Sequence, residues 1–124
     1  MPETTVVLSA YLGSDTPEAV RFSTLAGGTR SYINWSVLSR ISLSVYDRAL
    51  FVVAVDNTAN GELFKIDGEW LELNLGKITG LIDGKTYTAI LKAHDPAHPD
   101  GQVLADTKSG NNRPTLSIKT YKGV

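Results

Sequence analysis

The chain contains no cysteine. That excludes disulfide staples, thiolate catalysis and cysteine-based zinc sites, and it leaves the redox compartment open. No stretch gathers basic residues: 12 Lys and Arg stand against 13 Asp and Glu, a net charge of −1. Non-specific nucleic-acid binding draws its affinity from phosphate neutralisation by a concentrated positive patch, so that partner is disfavoured. No apolar run approaches the ~20 residues of a membrane helix. Residues 1–12, MPETTVVLSAYL, lack the basic start and long apolar region of a signal peptide. These absences lead to the expectation of a soluble chain made in a cytoplasm, with no membrane insertion. Catalytic signatures are scarce as well. No serine sits in a G-x-S-x-G elbow, and the glycines of STLAGGTR fit neither a Walker A loop nor a dinucleotide fingerprint. The expectation is a protein that is not an enzyme and holds no cofactor.

What is present is a core and a pattern. With 124 residues, 42% of them hydrophobic, the chain suits one domain spanning 1–124. Period-two alternation dominates. Val6, Leu8, Ala10 and Leu12 share one face of TTVVLSAYL; Ile41, Leu43 and Val45 oppose Arg40, Ser42, Ser44 and Tyr46 in SRISLSVYD. Such alternation predicts strands with one face buried. LFVVAV, at 50–55, is apolar on both faces, which predicts a central strand or one whose second face another chain covers. In FKIDGEWLELNLG the pair Asp67-Gly68 predicts a two-residue hairpin turn, with Leu71, Leu73 and Leu75 on one face and Trp70 on the other. TYTAILKAH and PTLSIKTY alternate in the same way, and GQVLAD reads as a further short strand. AGGTRSYINWS reads as a loop in which Trp35 serves as core or anchor. Near 16–24 the signals conflict. Thr16, Pro17 and Glu18 suit the start of a short helical turn, while Val20, Phe22 and Thr24 alternate as in a strand. The expected fold class is all-β: an antiparallel sandwich of about seven to nine strands.

Both histidines fall in HDPAHPDG. His94 and His98, with Asp95 or Asp100 as a third ligand, make one metal-site reading. Histidines spaced i, i+4 share a side only on a helix, however, and Pro96 and Pro99 rule out a regular helix. The competing reading is an exposed, proline-stiffened loop between two strands, in which His94, Asp95, His98 and Asp100 contact a partner. In DNTANGELFKID, residues Asp56, Asn60, Gly61 and Asp67 match positions 1, 5, 6 and 12 of a calcium loop, whereas Thr58 at position 3 and aspartate at position 12 depart from it. A plain connection between strands is the simpler reading. Trp70, Tyr46, Ile90 and Tyr121 fall on outward faces and form a candidate contact surface for protein or glycan.

The segment LIDGKTYTAILKA carries a resemblance. A hydrophobic residue, Leu81, precedes a turn with Gly84, and Tyr87 follows three residues later at the head of an alternating strand. This is similar to the tyrosine corner of immunoglobulin-like and fibronectin type III-like sandwiches, where a tyrosine hydroxyl bonds back to the upstream backbone. Residues 40–104 further resemble small structural proteins of tailed bacteriophages and prophages, through LELNLGKITGL, DGKTYTAIL and DPAHPDGQV. The resemblance implies a virion component of the tail, tail tip, baseplate or capsid surface, made in the host bacterial cytoplasm. It also implies binding to other virion proteins and to further copies of the chain as a homo-oligomer, and it offers no catalytic residue to carry over. Two other readings stay open: a β-sandwich that binds carbohydrate or a host receptor through Trp70, Tyr46 and residues 94–101, and a metalloprotein or enzyme centred on His94 and His98.

Overall fold

The structure is a computed structural model that describes residues 5–26, 28–105 and 115–122. Eleven strands are formed among them: β1 (Thr5–Leu12), β2 (Glu18–Val20), β3 (Ser23–Ala26), β4 (Thr29–Tyr32), β5 (Arg40–Asp47), β6 (Leu50–Asp56), β7 (Phe64–Asp67), β8 (Trp70–Leu73), β9 (Thr86–Asp95), β10 (His98–Ala105) and β11 (Thr115–Lys122). Among the described residues the helical content is three short 3₁₀ turns, at Trp35–Val37, Gly61–Leu63 and Leu75–Lys77. The protein is all-β, as its alternation predicts.

Two sheets enclose the core. One runs β1-β11-β9-β5-β6, and the other β2-β8-β7. Numbering the strands as in an immunoglobulin-type sandwich, these are the A′GFCC′ and BED sheets. Strand β9 organises the larger sheet. It pairs with β5 along one edge; on the other, β11 takes its first half (Tyr87, Ala89) and β10 its second (Leu91, Ala93, Asp95). The β1–β11 pairing is parallel, unlike the antiparallel arrangement expected throughout. A parallel pair needs a long crossover, and here nearly the whole domain lies between the two strands. The apolar rows of both sheets form one cluster. Ile41, Leu43, Val45, Tyr87, Ala89, Leu91, Leu116 and Ile118 from the larger sheet pack with Val20, Leu71 and Leu73 from the smaller. Full burial of each such Leu, Ile or Val is worth about 1.5–3 kcal/mol.

Three expectations need correction. Residues 16–24 form no helical turn: Glu18–Val20 is β2, and Val20 sits opposite Leu71 in β8. Burying Val20 in a sheet outweighs the single helical turn that Thr16 and Pro17 could start, because an isolated turn fixes several dihedrals for one hydrogen bond. Glu18 serves β1 instead, its Oε1 accepting from the Ser9 N–H at 3.0 Å. LFVVAV is an edge strand of its sheet, not a central one. Its double-sided apolarity arises at a bulge: Val53 pairs with Val45 and Phe51 with Tyr46, so Val52 is the extra residue. Both valines pack against the core, while Leu50 and Phe51 are 73% and 60% exposed. The segment read as a loop holds β4 and the Trp35–Val37 turn.

The β7–β8 hairpin turns one residue later than expected. Asp67 pairs with Trp70, so the two loop residues are Gly68 and Glu69. Gly68 has φ 61°, the positive value that a type II′ turn requires at its first loop position. Leu71 and Leu73, both buried, fix that register, since a one-residue slip would turn them to solvent.

Candidate functional site

The Leu81–Tyr87 segment builds a corner. Gly84 takes φ 78° in the turn, and Tyr87, 1% exposed, begins the inward row of β9. The Tyr87 hydroxyl accepts a hydrogen bond from the Ile82 backbone N–H at 2.8 Å. Leu81 packs against the core. This is the tyrosine-corner geometry. Thr120, which the sequence reading passed over, locks the same corner to β11. Its hydroxyl accepts from the Lys85 N–H at 2.9 Å and lies within donating reach of the Ile82 and Lys85 carbonyls. The signal was available, because β11 alternates inward through Leu116 and Ile118 and puts a polar residue at the next inward position. Lys85 also reaches Asp47 at the end of β5, at 2.8 Å, which raises its ammonium pKa above the ordinary value.

The histidine segment is a tight hairpin turn, not a loop. Asp95 pairs with His98, leaving Pro96 and Ala97 as the loop residues. Asp at the first turn position and Pro at the second suit a type I turn. Asp95 Oδ1 accepts from the His98 N–H at 2.7 Å and faces His98 Nδ1 at 2.9 Å. The bond to His98 holds the Asp95 carboxyl below its usual pKa. His94 is not an exposed loop residue. It lies in β9, 7% exposed, with Nδ1 3.2 Å from the Pro99 carbonyl and Nε2 3.1 Å from Ser42 Oγ. A carbonyl can only accept, so Nδ1 carries the proton, and in the neutral ring Nε2 accepts from the Ser42 hydroxyl. Gly101 covers the imidazole: a Cβ there would lie 2.7 Å from His94 Cε1. The two histidines thus have separate partners, and Asp100 stays exposed. Among the described residues, no group of three His, Asp or Glu side chains is placed to hold a metal ion.

Asp56 is occupied by its own turn. Oδ1 accepts from the Thr58 and Ala59 N–H groups at 2.9 and 2.8 Å and from the Thr58 hydroxyl at 2.6 Å, while Oδ2 meets Arg40 at 3.1 Å. These bonds hold its carboxyl down at about 2. Asp67, the last residue of the calcium-loop match, closes the β7–β8 turn instead.

Three of the four contact-surface residues lie on one face, and Trp70 lies apart. Tyr46 and Ile90 share the outer face of the larger sheet, where Tyr46 meets Phe51 edge-on at 5.8 Å. Tyr121 is on that same face, four residues beyond Ser117 in β11, and stacks on Tyr11 at 5.2 Å across the β1–β11 pair. Trp70 lies in the smaller sheet, 41% exposed. There it belongs to a different group that no local pattern announced. The Arg21 guanidinium sits 4.0 Å from the Tyr32 ring centre and 4.7 Å from that of Trp70, and 3.5 Å from Glu69 Oε2. Beside this stack lies an open cleft of about 350 Å³, lined by Tyr32, Asn34, Ser36, Ile66, Gly68 and Glu69. Trp35, fully buried between the two walls, fixes them: its Nε1–H donates to the Glu69 carbonyl at 2.8 Å, and Phe22 packs edge-on against it.

No protein-family model, curated protein or solved structure matches the chain. No helix among the described residues is long and apolar enough to cross a membrane.

Proposed function

We propose that the chain is a non-enzymatic structural and assembly protein of a tailed phage or prophage virion, acting through protein–protein contacts. The observation that carries this reading is the outer face of the larger sheet. One row of register partners crosses five of its six strands, β1, β11, β9, β5 and β6: Val7–Ser117–Thr88–Tyr46–Phe51. Its ends are apolar and exposed, Val7 at 53% and Phe51 at 60%. Between them the face carries Tyr46 and Ile90 among smaller side chains, Ser44, Ala54, Thr88 and Ser117. Exposed apolar and aromatic side chains on one sheet face are what a partner protein would cover.

Size favours a protein with several neighbours. Five strands about 4.8 Å apart, each showing about seven residues at ~3.3 Å, present roughly 500 Å². A free-standing pair of proteins buries about 800 Å² on each side. A subunit in an array reaches its total through more than one face, and the resemblance of residues 40–104 to phage structural proteins points to the same kind of assembly. Mass spectrometry of gradient-purified particles tests the reading. The chain is expected at a fixed ratio to the major structural proteins, and its absence from intact particles overturns it.

A further inference from the structure

The end of the sandwich that carries the β7–β8 turn holds a second surface, independent of the assembly face. We propose that the cleft between the Tyr32–Ser36 segment and the β7–β8 turn is a binding site for a neutral saccharide. Its lining divides as such a site requires. Tyr32 and Ile66 offer apolar surface to the C–H face of a pyranose ring, and Asn34, Ser36 and Glu69 offer an amide, a hydroxyl and a carboxylate to its hydroxyl groups. Small-molecule sites pair apolar walls with a few placed polar groups in this way, and a cleft of about 350 Å³ lies at the lower end of their usual 300–1,000 Å³ range.

The walls are held before any ligand arrives. The Trp35 indole bonds to the Glu69 carbonyl at 2.8 Å, so the turn cannot move away from the segment that carries Asn34 and Ser36. Asn34 Oδ1 accepts from both the Ser36 N–H and the Ser36 hydroxyl, at 3.2 and 2.6 Å, which sets that wall's shape. Arg21 stacks on Tyr32, within reach of both aromatic rings. A preorganised site spends less of its binding energy on ordering its own side chains. Charge selects a neutral ligand. Glu69 is the carboxylate lining the cleft, and Arg21 beside it is already engaged by Glu69 and by both rings. The residues lining the cleft include no Lys or Arg, so an anionic sugar would meet the Glu69 carboxylate with no free cation among them to pair with.

The test is an NMR titration of the full chain with the methyl glycosides of glucose, galactose, mannose and N-acetylglucosamine, and with methyl glucuronide. Saturable amide shifts confined to residues 32–36 and 66–70, from at least one neutral glycoside, are expected. Affinity should fall about tenfold in Glu69→Ala and in Ser36→Ala, as for loss of one ligand hydrogen bond. Both changes leave the Trp35 bond intact, because it uses the Glu69 backbone. Tyr46→Ala, on the assembly face, should bind as the parent does. The site is refuted by no saturable shift with any neutral glycoside, shifts mapping elsewhere, binding of the glucuronide alone, or affinity unchanged in both cleft variants. None of these outcomes bears on the presence of the chain in particles, so the two proposals fail separately.

Discussion

The Tyr87 hydroxyl accepts the Ile82 backbone N–H across a turn of five residues, at 2.8 Å, with the ring 1% exposed beneath it. The phenol thereby satisfies a partly buried backbone donor and ties the turn before β9 to the core. Tyr87→Phe keeps the packing but leaves that N–H without its acceptor. The expected loss is about 1–2 kcal/mol in urea unfolding, with an unchanged m-value.

Gly101 and His94 form a second coupled pair. Gly101→Ala adds a Cβ 2.7 Å from His94 Cε1, at a position whose φ is 89°. A destabilisation of about 2–3 kcal/mol follows from overpacking and a left-handed backbone together. His94→Ala removes the collision but not the backbone strain. The double variant should therefore cost about 1 kcal/mol less than the sum of the single variants, measured as a double-mutant cycle.

Asp56 sets part of the acid response. Its folded pKa, about 2, lies below the ordinary value of 3.8, held there by the Thr58 and Ala59 bonds and by Arg40. The carboxylate's contribution is thus complete above the ordinary value and is lost as pH falls from there through the folded pKa. Asp56→Asn should cost roughly 1–2 kcal/mol near neutral pH, and parent and variant should converge near pH 2. Unfolding midpoints across that range check it; a difference that persists to the lowest pH would assign the cost to something other than ionisation.

Gly76 is where the 3₁₀ turn after β8 meets the end of β1. It is buried, its carbonyl accepts the Gly13 N–H at 2.8 Å, and a Cβ would collide with the Tyr11 carbonyl oxygen. Since the obstacle is backbone, Gly76→Ala is expected to cost about 3 kcal/mol or more, read from the thermal midpoint.

The strands were legible where one face meets the core and the other meets solvent, as in β5, β8, β9 and β11, and the corner was legible from the spacing of Leu81, Gly84 and Tyr87. LFVVAV misled because a bulge at Val52 turns two successive valines toward the core, giving an edge strand the double-sided apolarity of a central one. The 16–24 segment misled because a proline and a capping threonine state a local preference, while the pairing of Val20 with Leu71 spans 51 residues of sequence. The cleft left no local signal at all. Its walls are brought together by the Trp35 indole bonding to a carbonyl 34 residues away, and no periodicity encodes that contact. The two prolines after His94 suggest a loop there. The strand runs on to Asp95 because Pro96 occupies a turn position where no N–H is needed.

The assembly reading stands on the outer face of the larger sheet, and hydroxyl-radical footprinting of the chain, free and in purified particles, tests it most directly. Tyr46 and Phe51 should be oxidised readily in the free chain and protected several-fold in particles, while Trp70, on the other sheet, changes much less. Equal oxidation of Tyr46 and Phe51 in both states would contradict the account.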